Sequence, residues 1–157
     1  MLGWGQRRQQ QVSEILYGNA VEMARAPSFF ADHGVADTVD GRFDALALVV
    51  ALIMRRLKDC GEAGQDLSQQ LFDTMFADMD LSLREMGAGD IGVAKRVRVM
   101  AEGFMGRLDA YASALDSRDR VALGAALQRN LLRGDGEAGD PLIDFVLGLE
   151  AWIADID

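Results

Sequence analysis

The stretch LFDTMFADMDLSLREMGAGDIGVAKRVRVMAEGFMGRLDAY, residues 71–111, decides the fold. Together with Leu67 upstream, Leu71, Phe72, Met75, Phe76, Met79, Leu83 and Met86 recur at the spacing of one helix face. Gly87 is placed to stop that helix in a left-handed cap, and Asp90 to cap the next one. Val97, Ala101, Phe104, Leu108, Tyr111 and Leu115 then alternate steps of four and three, the seam of a packed antiparallel hairpin. The stretch therefore predicts a central helical hairpin hinged at MGAGD.

Upstream, ALALVVALIM (residues 45–54) is far shorter than the ~20 apolar residues of a membrane span. It predicts a helix buried on most sides. Asp44 suits its N-terminus, and Arg55, Arg56 and Lys58 its C-terminus, matching the helix dipole. Val12, Ile15, Leu16, Asn19 and Met23 mark a first helix that ends before Pro27. PSFFADHG reads as a short helical turn. VADTVDGRFD reads as an acidic loop with Gly41 as a turn residue, and DCGEAGQD as another loop. Downstream, LDSRD interrupts with Ser117 or Asp116 as a cap, a helix follows over residues 121–132, and RGDGEAGD forms a loop. Asp140 caps a last helix with Pro141 at its first position. Its apolar stripe is Leu142, Phe145, Val146, Leu149, Trp152, Ile153 and Ile156. The expectation is an all-α fold: one domain over residues 1–157, a bundle of six to seven helices.

Half of the 157 residues are hydrophobic, enough for a real core. The net charge of -9 argues against a phosphate-backbone binder, so no direct DNA binding is expected. A lone cysteine, Cys60, cannot form an internal disulfide, which fits a reducing compartment; it reads as a buried or inert thiol. MLGWGQRRQQQ has two arginines with no apolar stretch after them, unlike a secretory signal. The expected location is cytoplasmic.

Signs of catalysis are weak. His33 is the only histidine, so no two-histidine metal site forms within one chain; it reads as a surface residue or one packed on Phe29 or Phe30. No glycine-rich phosphate loop has the required spacing. Asp78 and Asp80 point roughly 200° apart on a helix and cannot jointly chelate one ion. Asp80 precedes Arg84 in the favourable order for an ion pair worth a few tenths of a kcal/mol. Gly92, Gly103 and Gly106 are interior helix glycines, each costing roughly 1 kcal/mol relative to alanine. They serve either internal packing or a docking groove for a partner helix. The eight methionines serve either ordinary core filling or an adaptable apolar surface. No catalytic residue, metal or cofactor is expected.

Residues 71–111, with DTVDGRFDALALVVALIMRRL before and LGAALQRNLLRG after, resemble the ubiquinol–cytochrome c chaperone family, assembly factors of the cytochrome bc1 complex. The resemblance runs from about Asp37 to Gly134 and suits a bacterial member. It implies an all-helical protein without catalytic activity. It further implies a protein client, newly made cytochrome b or another bc1 subunit, with the ribosome and a small helper protein as further partners. Peripheral association with the inner membrane stays open. Matching positions are Asp78, Asp80, Arg84, Gly87, Lys95, Gly106, Tyr111, Arg129 and Asn130. Mitochondrial relatives carry an acidic pair where this chain has Ala112 and Ser113, and tryptophan where it has Gln128. The expected client surface has Asp78, Asp80, Arg84, Lys95 and Arg96 as a charged rim. Met75, Met79, Phe104 and Tyr111 are groove or core, and Gly103 and Gly106 admit a close-packed partner. Loss of cytochrome b capture in an Asp80→Ala, Arg84→Ala double variant is expected of that rim. A homo-oligomer built on an exposed apolar stripe and a metal- or isoprenoid-using helical enzyme are the alternatives.

Overall fold

The computed structural model describes residues 3–87, 89–133 and 138–155. They form six α-helices and one short π-helical turn: α1 (Trp4–Ala24), the turn (Ser28–Asp32), α2 (Val39–Lys58), α3 (Gly61–Glu85), α4 (Asp90–Asp116), α5 (Arg120–Asn130) and α6 (Asp140–Ala154). No strand occurs among the described residues. The fold is all-α, as the periodicity predicts.

α2 is the central helix. Every residue from Phe43 to Ile53 is buried, and α1, α3, α4 and α6 all pack against it. α1 lies on both α2 and α3, and α4 lies on the same two helices, while α5 packs on α4 and α6. The apolar run of α2 therefore has neighbours on most sides, as its composition requires.

α2 begins earlier than expected. Thr38 caps it, its hydroxyl oxygen accepting from the Gly41 amide at 3.0 Å. Part of VADTVDGRFD is thus helix, and Asp44 is a buried residue within α2, not its cap. DCGEAGQD is largely helical too. The α2–α3 connection is only Asp59 and Cys60, with Gly61 at φ +75° turning the chain. A Cβ on Gly64 would lie 2.1 Å from the Leu57 carbonyl oxygen, so only glycine lets the two helices close this tightly. Cys60 is exposed rather than buried, its sulfur accepting from Arg56 Nη1 at 3.4 Å.

The α3–α4 hairpin forms as its spacing predicts. Gly87 takes φ +89° after α3, and Phe104 packs on Phe72 and Phe76 with ring centroids 5.6 and 5.9 Å apart. Leu71, Met75, Phe76 and Leu83 are buried, whereas Met86 is 63% exposed. Gly89, not Asp90, is the cap residue of α4: its backbone is extended while Asp90 is already the first helical residue, its side chain outside the described residues.

The buried face of α1 differs from the expected stripe. Ser13, Tyr17, Ala20 and Ala24 point inward, and Ile15 is 66% exposed. Small side chains let α1 lie close to α3, where Ser13 and Thr74 hydroxyls hydrogen-bond at 3.2 Å.

Neither Asp116 nor Ser117 caps α5. The Asp119 carboxylate does, accepting from the Ala122 amide at 3.1 Å. In α6 Gly139 is the cap residue, so Pro141 falls at the second helical position rather than the first, still within the first turn where proline is tolerated, and Asp140 pairs with Arg120 at 3.1 Å instead. Ile143 is buried there and Trp152 exposed. Residues 134–137 of the RGDGEAGD loop, and Ile156, lie outside the described residues. His33 is half-buried and packs on Phe145, not on Phe29 or Phe30, at 4.9 Å between ring centroids.

Candidate functional site

A groove of about 530 Å³ opens where α1 ends, α2 begins and α3 ends. Pro27 terminates α1, and the π-helical turn after it buries Phe29 edge-on against Phe145 at 5.0 Å. That anchor leaves Phe30 half-buried on the groove wall. Val21 and Ala24 come from α1, Val39, Phe43 and Leu46 from α2, and Met79 and Met86 from α3 and its end. Met86 and Val39 remain exposed. The apolar floor is thus open to solvent at the end of the bundle.

Its edge is polar. Arg42 donates to Asp37 at 2.8 Å, both side chains being well exposed, and Arg25, Asp78 and Ser82 complete the lining. Tyr17 donates its hydroxyl proton to Asp78 Oδ2 at 2.6 Å. Burial and the adjacent carboxylate push the Tyr17 phenol far above its ordinary value, so it stays a protonated donor. This bond ties α1 to α3 at the groove wall. Tyr17→Phe is expected to cost about 1.5 kcal/mol, the lower range for a hydrogen bond to a charged group. Urea unfolding should show a lower midpoint with an unchanged slope.

The sequence-predicted site residues fall in several places. Asp78 and Met79 line the groove. Asp80 points away from it and pairs with Arg84 at 3.0 Å, the predicted i,i+4 pair. Lys95 is exposed on α4, and Arg96 bonds Asp40 at 3.3 Å. Gly103 and Gly106 are exposed, and a Cβ on either would meet no atom within 4 Å, so they do not serve helix packing within the chain. Arg129 is exposed and Asn130 half-buried at the end of α5. Met75 and Tyr111, together with Phe104, belong to the core rather than to any surface.

The residue that sequence reasoning misplaces is Asp44. Its side chain is fully buried, accepting from Arg107 Nη1 at 2.7 Å and from Arg133 Nη2 at 3.1 Å, with Arg133 Nε on its other oxygen. Arg107 also lies over the Phe43 ring at 5.5 Å. Burial outweighs both guanidinium groups and holds the Asp44 carboxyl above its ordinary value. The signal is present in the sequence: an aspartate flanked by Phe43 and Ala45 inside a helical apolar run needs a buried cation. Both partners are permanently charged, so the cluster is a structural tie joining α2 to α4 and to the segment after α5.

Among the described residues no group of three or more His, Cys, Asp or Glu side chains is placed to hold a metal ion. No helix among them is long and apolar enough to cross a membrane. The groove offers apolar contact with a polar edge, a geometry for binding rather than bond-making.

The family model described as "Ubiquinol-cytochrome C chaperone" matches residues 31–157. The chain is 30% identical over 117 residues to ubiquinol-cytochrome-c reductase complex assembly factor 1 of Xenopus laevis. That match covers 74% of the chain but 58% of the relative's length. The fold is similar to the crystal structure of the Cbp3 homolog from Brucella abortus, with a TM-score of 0.81 and 35% identity. The similarity covers 97% of this chain and 86% of the Brucella one.

Proposed function

The chain belongs to the ubiquinol–cytochrome c chaperone family, and from that premise we propose that it is a non-catalytic assembly factor for the cytochrome bc1 complex. Its client is an apolar segment of newly made or unassembled cytochrome b, received in the groove between α1, α2 and α3. The observation that carries this reading is the open apolar floor of Phe30, Val39, Met79 and Met86, edged by the Arg42–Asp37 pair and Asp78. A membrane helix outside its bilayer has apolar side chains to shelter, and flexible methionines adapt to them. The polar edge fixes the direction of entry. Contact with the ribosome or a small helper protein stays within this reading without a surface assigned to it. The place of action is the cytoplasmic face of the inner membrane, reached peripherally.

The test is capture of cytochrome b by the tagged chain. Met86→Glu puts a charge on the groove floor at an exposed position that the fold tolerates. Capture should fall at least tenfold, about 1.4 kcal/mol or more. The Asp80→Ala, Arg84→Ala double variant removes a pair on the outward flank and should retain capture. Loss in the double variant with retention in Met86→Glu would move the client to that flank.

A further inference from the structure

We infer that the outward face of α4 is a self-docking surface, on which a second copy of this chain packs antiparallel to form a two-fold dimer. No residue of α4 lines the groove between α1, α2 and α3, so the inference does not depend on the client of that groove. α4 is the longest of the six helices, at 27 residues. Its buried side chains, among them Val93, Phe104, Tyr111 and Leu115, serve its packing on α2, α3 and α5. The helix turns about 100° per residue, which lines up Lys95, Arg98, Glu102 and Asp109 on the opposite side. All four are exposed. Beside them Val99 is 58% and Met105 47% exposed, large apolar side chains without cover. Gly103 and Gly106 are exposed on the same side, and nothing in the chain fills the space of their missing Cβ atoms. A second helix backbone can approach closely there.

The charges select the occupant. The ion pairs of α4 are Arg96 with Asp40, Arg107 with Asp44 and Asp116 with Arg55. Lys95, Arg98, Glu102 and Asp109 form none among the described residues. Arg98 and Glu102 are one turn apart, but the cation comes first, which is the weaker order for a pair within one helix. Two cations and two anions favour neither an acidic nor a basic partner. Their order does discriminate, because both cations precede both anions along the helix. A second α4 running antiparallel brings the cations of each copy toward the anions of the other. A parallel arrangement would set like charges side by side. Under two-fold symmetry every such contact is made twice. The axis falls in the middle of the stretch, where Val99 and Met105 supply apolar area and Gly103 and Gly106 supply room. Residues 95–109 span about 22 Å of helix, a contact on the small side for a specific interface, so the dimer forms reversibly with concentration.

Sedimentation velocity of the full chain, from micromolar to near-millimolar concentration, tests the inference. The average mass should rise from one copy toward two, and less so at high salt. The Lys95→Glu, Arg98→Glu variant makes the face wholly acidic, and the Glu102→Lys, Asp109→Lys variant makes it wholly basic. All four positions are exposed, so both variants should keep the helical circular dichroism of the parent. Each alone should self-associate at least tenfold more weakly than the parent, and an equimolar mixture of the two should regain association. Met86→Glu, in the client groove, should leave the parent's association unchanged. A parent chain that stays monomeric throughout would overturn the inference. So would association that survives in both charge variants, or a mixture of them that stays monomeric.

Discussion

Replacing Asp44 with alanine is expected to destabilise the protein by about 3 kcal/mol, as removal of one partner from a buried ion cluster does. The low end of the usual range applies because Arg133 is half in solvent and can turn to water, while Arg107 is 18% exposed and cannot. The same principle explains why Asp44 is costly to ionise yet costly to delete. Desolvation opposes its charge, but two guanidinium groups are arranged around it. The pH dependence follows from the direction of the shift. A folded pKa above the unfolded one means that the folded state binds the proton more tightly. The contribution of this group is fully present below the unfolded value, roughly 3.9, and is lost as pH rises through the folded value. The stability gap between the parent chain and Asp44→Asn should therefore widen on acidification through that window. Chemical denaturation of both chains at several pH values measures it, and a gap that narrows would refute the assignment.

Gly41→Ala is the second large effect. A Cβ at this position would sit 1.8 Å from the Ala36 carbonyl oxygen and 2.8 Å from its carbon. Both are backbone atoms, so no side chain can swing aside. Either the start of α2 or the segment before Thr38 must move, at a cost of about 2–3 kcal/mol. The movement displaces Val39, Phe43 and the Asp37–Arg42 pair, so client capture should fall with stability. The same substitution at Gly103 provides the contrast. Nothing lies within 4 Å of its Cβ position, and alanine should stabilise the helix by about 0.5–1 kcal/mol. Thermal unfolding of the two variants should move in opposite directions.

Hairpin and central helix are legible because their periodicity is strong and uninterrupted. Leu71, Met75, Phe76 and Leu83 are buried where the spacing places them, and the apolar run of α2 is enclosed. The departures have separate physical causes. Val12 and Ile15, strongly hydrophobic, suggest one buried face of α1, but close approach to α3 selects small residues, Ser13 and Ala20. The starts of α2 and α3 are rich in glycine and aspartate, which suggest loops. Gly41 and Gly64 are there because neighbouring carbonyls leave no room for a side chain. Asp44 resembles a cap because its cations, Arg107 and Arg133, are 63 and 89 residues away in sequence. Of the candidate site, only Asp78 and Met79 line the groove. Phe30, Val39 and Met86 become visible as its wall once the turn after α1 places them together.

We propose that the groove between α1, α2 and α3 receives cytochrome b. Site-specific photocrosslinking in cells that synthesise cytochrome b tests it most directly. A benzophenone amino acid at position 86, on the groove, is compared with one at position 15, on the exposed face of α1. A crosslink to cytochrome b from position 86 and none from position 15 is the predicted result. A crosslink from position 15 with none from position 86 would contradict it.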